Sequence, residues 1–265
     1  MDIGRLQQII EQVPNQGILL SLPETIRIGC SLKLLQNQVR SEAMFFFGKI
    51  LAIQADYYIA FSTEHNRYYP SMFFCSTNCI DWFSITKVED SLREEAIHIR
   101  EPFTGKLISE FELPSGRLVT EEQRLAAILD TLLHDCLLFP RSYLIQTALN
   151  FVIPNPLWSG IPLEESNKLS QFRHWVQRET PPTLLEKALS NPALDFTLPL
   201  NDLNGWRFVQ TTNLDEVQLR SVHWPGFLFS LCGTEFSNCY FGHGIYEGDL
   251  FEPDEVEETV ENPEQ

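Results

Sequence analysis

His134, Asp135 and Cys136 stand in a row, and a base, an acid and a thiol are the parts of a nucleophilic site. Neighbouring positions on a helix point in different directions, so the three cannot act together. Cys136 also falls in an apolar stripe, where a thiol behaves as a small hydrophobe. Cys75 and Cys79, or Cys232, Cys239, His223 and His243, could be imagined around a metal. Zinc sites need four ligands, usually paired in tight turns, and the simpler reading here is buried thiols and ordinary histidines. Asp56 precedes Tyr57 and Tyr58 in the stretch FFFGKILAIQADYYIA. A catalytic acid would need a pocket and a partner base; a turn-end aspartate before two strand-favouring tyrosines is the commoner arrangement. Gly242-His243-Gly244 has only the core of a dinucleotide fingerprint, and the chain carries no phosphate loop, nucleophile elbow or zinc helix. No catalytic, cofactor-binding or metal-ligating residue is assigned and no cofactor is expected: the chain reads as a non-enzyme, with a site dispersed in sequence as the competing view.

The elements that would position any site are clearer. Leu6, Ile9, Ile10 and Val13 form a helical stripe. Ser21 and Glu24 form a capping box opening a second helix, and Thr120 and Gln123 another, before the stripe Leu125, Ile128, Leu129, Leu132, Leu133 and Cys136 that Pro140 closes. Met44 to Ile53 suits a buried strand in which Gly48 marks a bulge or close backbone contact. Tyr57 to Ala60, Tyr69 to Cys75 and Asp81 to Ile85 follow as strands, and Ile97 to Arg100 and Leu107 to Phe111 are expected as two more around Phe103-Thr104-Gly105. Short helices are expected near Leu163 to Leu169 and Leu184 to Leu189, the second behind a capping pattern at Thr183 and Glu186. From Trp206 the period returns to two, and four strands joined by polar turns make an antiparallel meander. Helices and strands are segregated, which favours an α+β fold, mainly antiparallel, with N-terminal helices, one long central helix and short helices between two strand-rich halves.

The expected organisation is 1–153 for the helices, strands and central helix, 154–205 for a proline-rich connection with short helices, 206–246 for the meander, packed as one unit with the rest, and 247–265 for a disordered acidic tail. The last nineteen residues hold nine acids and no base, more than half of the net charge of −17. Such a tail is either solubilising or an arm that docks on a basic partner. The acidic balance argues against nucleic acid, and no apolar run approaches the roughly 20 residues that span a bilayer. The N-terminus shows no secretory signal, so the six cysteines are expected as reduced thiols. His223-Trp224-Pro225-Gly226 places a proline at a sheet edge or bulge, and Trp224 is either core or an interface anchor. Tyr57, Tyr58, Trp82, Trp224 and Tyr240 are the candidate contact residues for a protein interface.

Several segments carry a resemblance: residues 45–60, the step from Asn78-Cys79 to Trp82 in STNCIDW, SNKLSQFRHWVQRE (166–179), LLEKALSNPALDF (184–196) and LRSVHWPG (219–226). Taken in order, they resemble the radial spoke head protein 9 family of motile cilia and flagella. The stretch from Phe83 to Val119 is shorter than that family's pattern, and the acidic tail is an addition. The resemblance implies a non-catalytic axonemal protein, made in the cytoplasm and held in the spoke head. It implies radial spoke head 4/6 type proteins and MORN-repeat spoke head proteins as neighbours, with central-pair projections opposite, and a role in passing signals to dynein. The competing reading is a general cytosolic scaffold or adaptor outside the axoneme.

Overall fold

The computed structural model describes residues 1, 20–63, 70–149, 151–162, 164–177, 191, 193–200, 205–211 and 216–248. The stripe Leu6 to Val13, the helix near Leu184 to Leu189 with its Thr183 cap, and the tail beyond Gly248 lie outside these residues.

Helix α1 (Leu22–Val39) begins where the capping box places it. The Ser21 amide donates to Glu24 Oε2 at 2.6 Å, the Glu24 amide donates to Ser21 Oγ at 3.4 Å, and Pro23 occupies the first turn. Four antiparallel strands follow: β1 (Ala43–Ile50), β2 (Tyr57–Thr63), β3 (Pro70–Ser76) and β4 (Phe83–Ile85). The C-terminal meander is present as β12 (Trp206–Thr211), β13 (Glu216–Ser221), β14 (Phe227–Cys232) and β15 (Glu235–Gly242). The two sets join into one eight-stranded sheet, in the order β12-β13-β14-β15-β1-β2-β3-β4, through a parallel pairing of β1 with β15. Gly48 makes that join possible. It sits at a register shift in β1 opposite Tyr240, and a Cβ there would collide with the Tyr240 carbonyl.

Between the two sets run α2 (Asp90–Ala96), the hairpin β5 (Glu110–Glu112) and β6 (Leu118–Thr120), then α3 (Glu121–Cys136). Next come β7 (Leu138–Pro140), the hairpin β8 (Leu144–Gln146) and β9 (Val152–Pro154), a 3-10 turn at Leu169–Gln171, β10 (Phe172–Gln177) and β11 (Thr197–Pro199). Strands β11, β10 and β7 form a second small sheet. Period-two side chains divide between the faces of the large sheet. Phe47, Tyr57, Ile59, Phe73, Phe229 and Tyr240 pack with α3; Phe46, Tyr58, Ala60, Phe74, Leu228 and Phe241 pack with α1. The fold is thus mixed, with mostly antiparallel sheet and three α-helices among the described residues.

Four expectations are corrected. Residues 97–100 are not a strand: Asp90–Ala96 is a helix that buries Leu92 and Ala96, and the chain leaves it in a turn. The second expected strand is displaced to Glu110–Glu112 and turns at Leu113–Arg117, not at Phe103-Thr104-Gly105. Phe103 instead makes one parallel bridge to Ala52, and the Gly105 backbone, at φ +90°, presses on Ala55. The helix expected near Leu163 to Leu169 is a turn ending in the 3-10 segment. Helix α3 stops at Cys136 rather than at Pro140, because Leu138 to Pro140 already pair with β10.

Candidate functional site

Tyr57, Tyr58, Trp224 and Tyr240 are enclosed within this chain, and Trp82 is half-buried. Each has an internal partner. The Tyr57 hydroxyl donates to Glu121 Oε1 at 2.6 Å and the Tyr58 hydroxyl donates to Glu24. Trp82 Nε1 donates to Ser31 Oγ at 2.8 Å, and Ser31 Oγ donates to the Cys79 carbonyl at 2.8 Å, which fixes the STNCIDW turn on α1. Trp224 Nε1 donates to Asp135 Oδ2 at 3.0 Å, and the Gly244 amide donates to the Tyr240 hydroxyl at 2.8 Å. A partner docking on the folded chain does not reach the four buried rings. Asp56 closes the turn before β2: Oδ1 accepts from the Ala52 amide at 3.0 Å and Oδ2 pairs with Lys49 at 2.8 Å.

The most concentrated polar centre was missed in the sequence. Glu121, in the first turn of α3, has no exposed surface and accepts four hydrogen bonds. The donors are Tyr57, the Thr104 amide (2.8 Å), the Thr104 hydroxyl (2.7 Å) and the Gly105 amide (2.8 Å). One turn on, buried Arg124 lies between the Phe103 and Phe111 rings, 4.3 and 4.8 Å from their centroids, and donates to the Ile99 and Glu101 carbonyls. Burial pulls its guanidinium down to about 10 despite Glu121 and Glu101 nearby. Burial likewise drives the Tyr57 phenol up, with Glu121 adding to it. A carboxylate that accepts four hydrogen bonds inside a sheet–helix joint holds a loop in place. A Glu immediately after a Thr cap is ordinary for a helix start, so only Tyr57 and the glycine loop folding onto it reveal its role.

A second cluster forms a cleft of about 290 Å³ at the end of α3, where His134, Asp135, His174 and His223 meet Trp206 and Trp224. Asp135 is committed to Trp224 and to His134 Nδ1 at 3.1 Å. Burial lowers His174 to about 4, with His134 adding to the effect and Asp135 opposing it. Burial raises Cys136 well above the usual thiol value, raises Cys75 and Cys239 to about 12, and pushes Cys79 up. Among the described residues, no three of His, Cys, Asp and Glu gather to hold a metal ion.

The surface carries the remaining signal. The β8–β9 hairpin is fastened to the sheet by Tyr143, Trp158 and Phe236, whose rings meet edge-on at 4.7 to 6.4 Å. The hairpin exposes Leu149 (77%), Phe151 and Ile153, and the segment just after it exposes Leu157 (88%). Leu22, Ile26 and Leu34 are exposed on α1, and β4 and β12 end the large sheet. Exposed apolar groups are thus concentrated on an outward segment that is itself firmly held.

Among the described residues, the polar centres are therefore tied up in internal hydrogen bonds and the exposed signal is apolar. The chain is similar over most of its length to proteins named radial spoke head protein 9 homolog. The cattle and human proteins are each 28% identical across 86% of this chain and 90% of their own, and the zebrafish protein is 28% identical across 94% and 99%. The resemblance read from the sequence is borne out by these relatives. No family model matches the chain.

Proposed function

We propose that the chain is a structural component of the radial spoke head in the axoneme of motile cilia and flagella. It acts there through protein contacts and helps carry central-pair signals to axonemal dyneins. The observation that supports this reading is the length of the similarity: it runs through nearly the whole of the relatives, not one module. The neighbours it would meet are radial spoke head 4/6 type proteins and MORN-repeat spoke head proteins, with central-pair projections opposite. The five candidate aromatics then serve the interface by holding the surface from within, and the β8–β9 hairpin supplies the apolar contact.

The test is a tagged chain in ciliated cells, extracted with detergent. The wild-type chain is expected to stay with the axoneme. The double variant Leu149→Asp/Leu157→Asp is expected to be extracted while keeping its thermal midpoint, since exposed substitutions usually change stability by less than about 0.5 kcal/mol. A wild-type chain washed out with the soluble proteins would refute the reading. A retained double variant would refute the hairpin's part in it.

A further inference from the structure

Helix α1 presents two apolar faces, and the sheet uses one of them. Ile28, Leu32 and Leu35 are buried against the sheet, while Leu22 (63% exposed), Ile26 (58%) and Leu34 (65%) point outward. With Cys30, also exposed, the outward set recurs every four residues and forms one stripe along the helix. The charge around it is unlike that of the rest of the molecule. From Thr25 to Ser41 the chain carries Arg27, Lys33 and Arg40 and no acid, in a protein of net charge −17. None of these three cations forms an ion pair among the described residues.

The covering segment must therefore be apolar on one side and acidic around it. A second copy of α1 fails this requirement, because its own cations would face these. The chain's last seventeen residues, DLFEPDEVEETVENPEQ, meet it: eight acids, no base, and Leu250, Phe251, Val256 and Val260 among them. They also start from a suitable place. Strand β15 ends at Gly242 opposite Ile50, and the chain is last described six residues later at Gly248, just after the Glu247 amide bonds the His223 carbonyl. The next residue back on β1, Lys49, pairs with Glu24 in the first turn of α1 at 3.5 Å, so the exit and the start of α1 share one end of the sheet; the exit lies on the α3 face, where Tyr246 packs on Trp224, and the segment has to round that end to reach α1. Seventeen residues reach about 56 Å when extended, twice the roughly 27 Å length of α1.

We infer that the acidic C-terminal segment 249–265 docks on the outer face of α1, its apolar residues on Leu22, Ile26 and Leu34 and its carboxylates against Arg27, Lys33 and Arg40. The tail is then an intramolecular cover over a surface that is otherwise free to take a partner. This inference stands apart from the spoke-head reading, since it concerns the isolated chain.

Cys30 reports on the cover, because it lies within the stripe while the other thiols are buried or half-buried. Its alkylation rate by iodoacetamide would be followed by peptide mass spectrometry in the full-length chain, in a chain ending at Gly248, and in full-length Phe251→Ser/Val256→Ser. Protection scales with the fraction of time the segment is undocked, and a tethered segment acts at millimolar effective concentration. Truncation is expected to speed Cys30 alkylation about tenfold, consistent with a cover in place about nine-tenths of the time. The double variant is expected to fall between, and Cys232 to keep its rate in all three. Raising salt is expected to speed Cys30 in the full-length chain but not in the truncated one. Equal Cys30 rates in full-length and truncated chains would overturn the inference. So would protection seen only in axonemes, which would assign the face to a neighbouring protein.

Discussion

The two long helices lie on opposite faces of the same sheet and open with the same capping device, yet they are used differently. Helix α3 is buried on nearly every side. Its stripe faces the sheet, and Ala127 on its back packs into a separate cluster with Leu92, Ala96, Phe111 and Val119. It even buries two charges, Glu121 and Arg124. Helix α1 buries one narrow face and leaves the other to solvent. The sheet is thus a partition: the α3 side is the permanent interior and the α1 side is a thin layer with a spare surface. The α3 side holds the shape, and the α1 side leaves apolar surface still to be covered.

The sharpest way to break that contrast is Glu121→Ala. It strands Tyr57, Thr104 and Gly105 donors in an interior that water does not reach, and it removes the counter-charge nearest Arg124. The expected cost is about 3–5 kcal/mol, as for other broken buried polar pairs. A urea titration would measure it. A loss below about 1 kcal/mol would mean that the α3 joint is no more essential than the α1 layer.

A smaller effect is expected at the far end of α3. Burial holds His174 near 4, against the usual 6.5, with His134 and Asp135 the titratable groups facing it. Below pH 6.5 the unfolded chain takes up a proton that the folded chain refuses until about pH 4. The unfolded state therefore gains on acidification through that window, and stability falls by a maximum of about 3 kcal/mol. His174→Gln removes the titration, so the difference between wild-type and variant stability is expected to change between pH 6.5 and 4 and to be flat above it. Parallel curves would place the imidazole in contact with water.

Both centres show where reading the chain stops. Helix starts at Ser21 and Thr120, the C-terminal meander, the bulge at Gly48 and the Asp56 turn are local, and each was legible because side chain and backbone within a few residues decide them. The parallel joining of β1 to β15 was not, since nothing near Gly48 names Tyr240 as its neighbour 192 positions on. The helix Asp90 to Ala96 drew no reading because seven residues give too short a period, and it is secured by packing on α3. The buried status of Tyr57, Tyr58, Trp224 and Tyr240 was hidden for the same reason. An aromatic on a strand suits a core and an interface equally, and only the covering layers distinguish them. Glu121 was masked by its position, since an acid in a first helical turn is unremarkable until a distant glycine loop closes over it.

The mildest test compares the two capping boxes directly. In α3 the reciprocal residue is Gln123, neutral, bonded from the Thr120 amide at 3.1 Å. In α1 it is Glu24, which Ser21, Tyr58 and Lys49 also hold. Partial burial works to raise that carboxyl, but hydrogen bonds from Ser21 and Tyr58, then the Lys49 charge, outweigh it and bring it down to about 2. Glu24→Gln gives α1 the chemistry of α3's cap. Because the site is partly open to solvent, the loss at pH 7 is expected to be only about 1 kcal/mol. The contribution of a depressed carboxyl is present above its unfolded value of 4.5 and disappears as pH falls towards about 2. Wild type and Glu24→Gln should therefore converge in urea midpoint across that range. If the gap stayed constant from pH 7 to pH 2, the geometry of the box and not its charge would be what seats α1, and the two helices would be held by the same means after all.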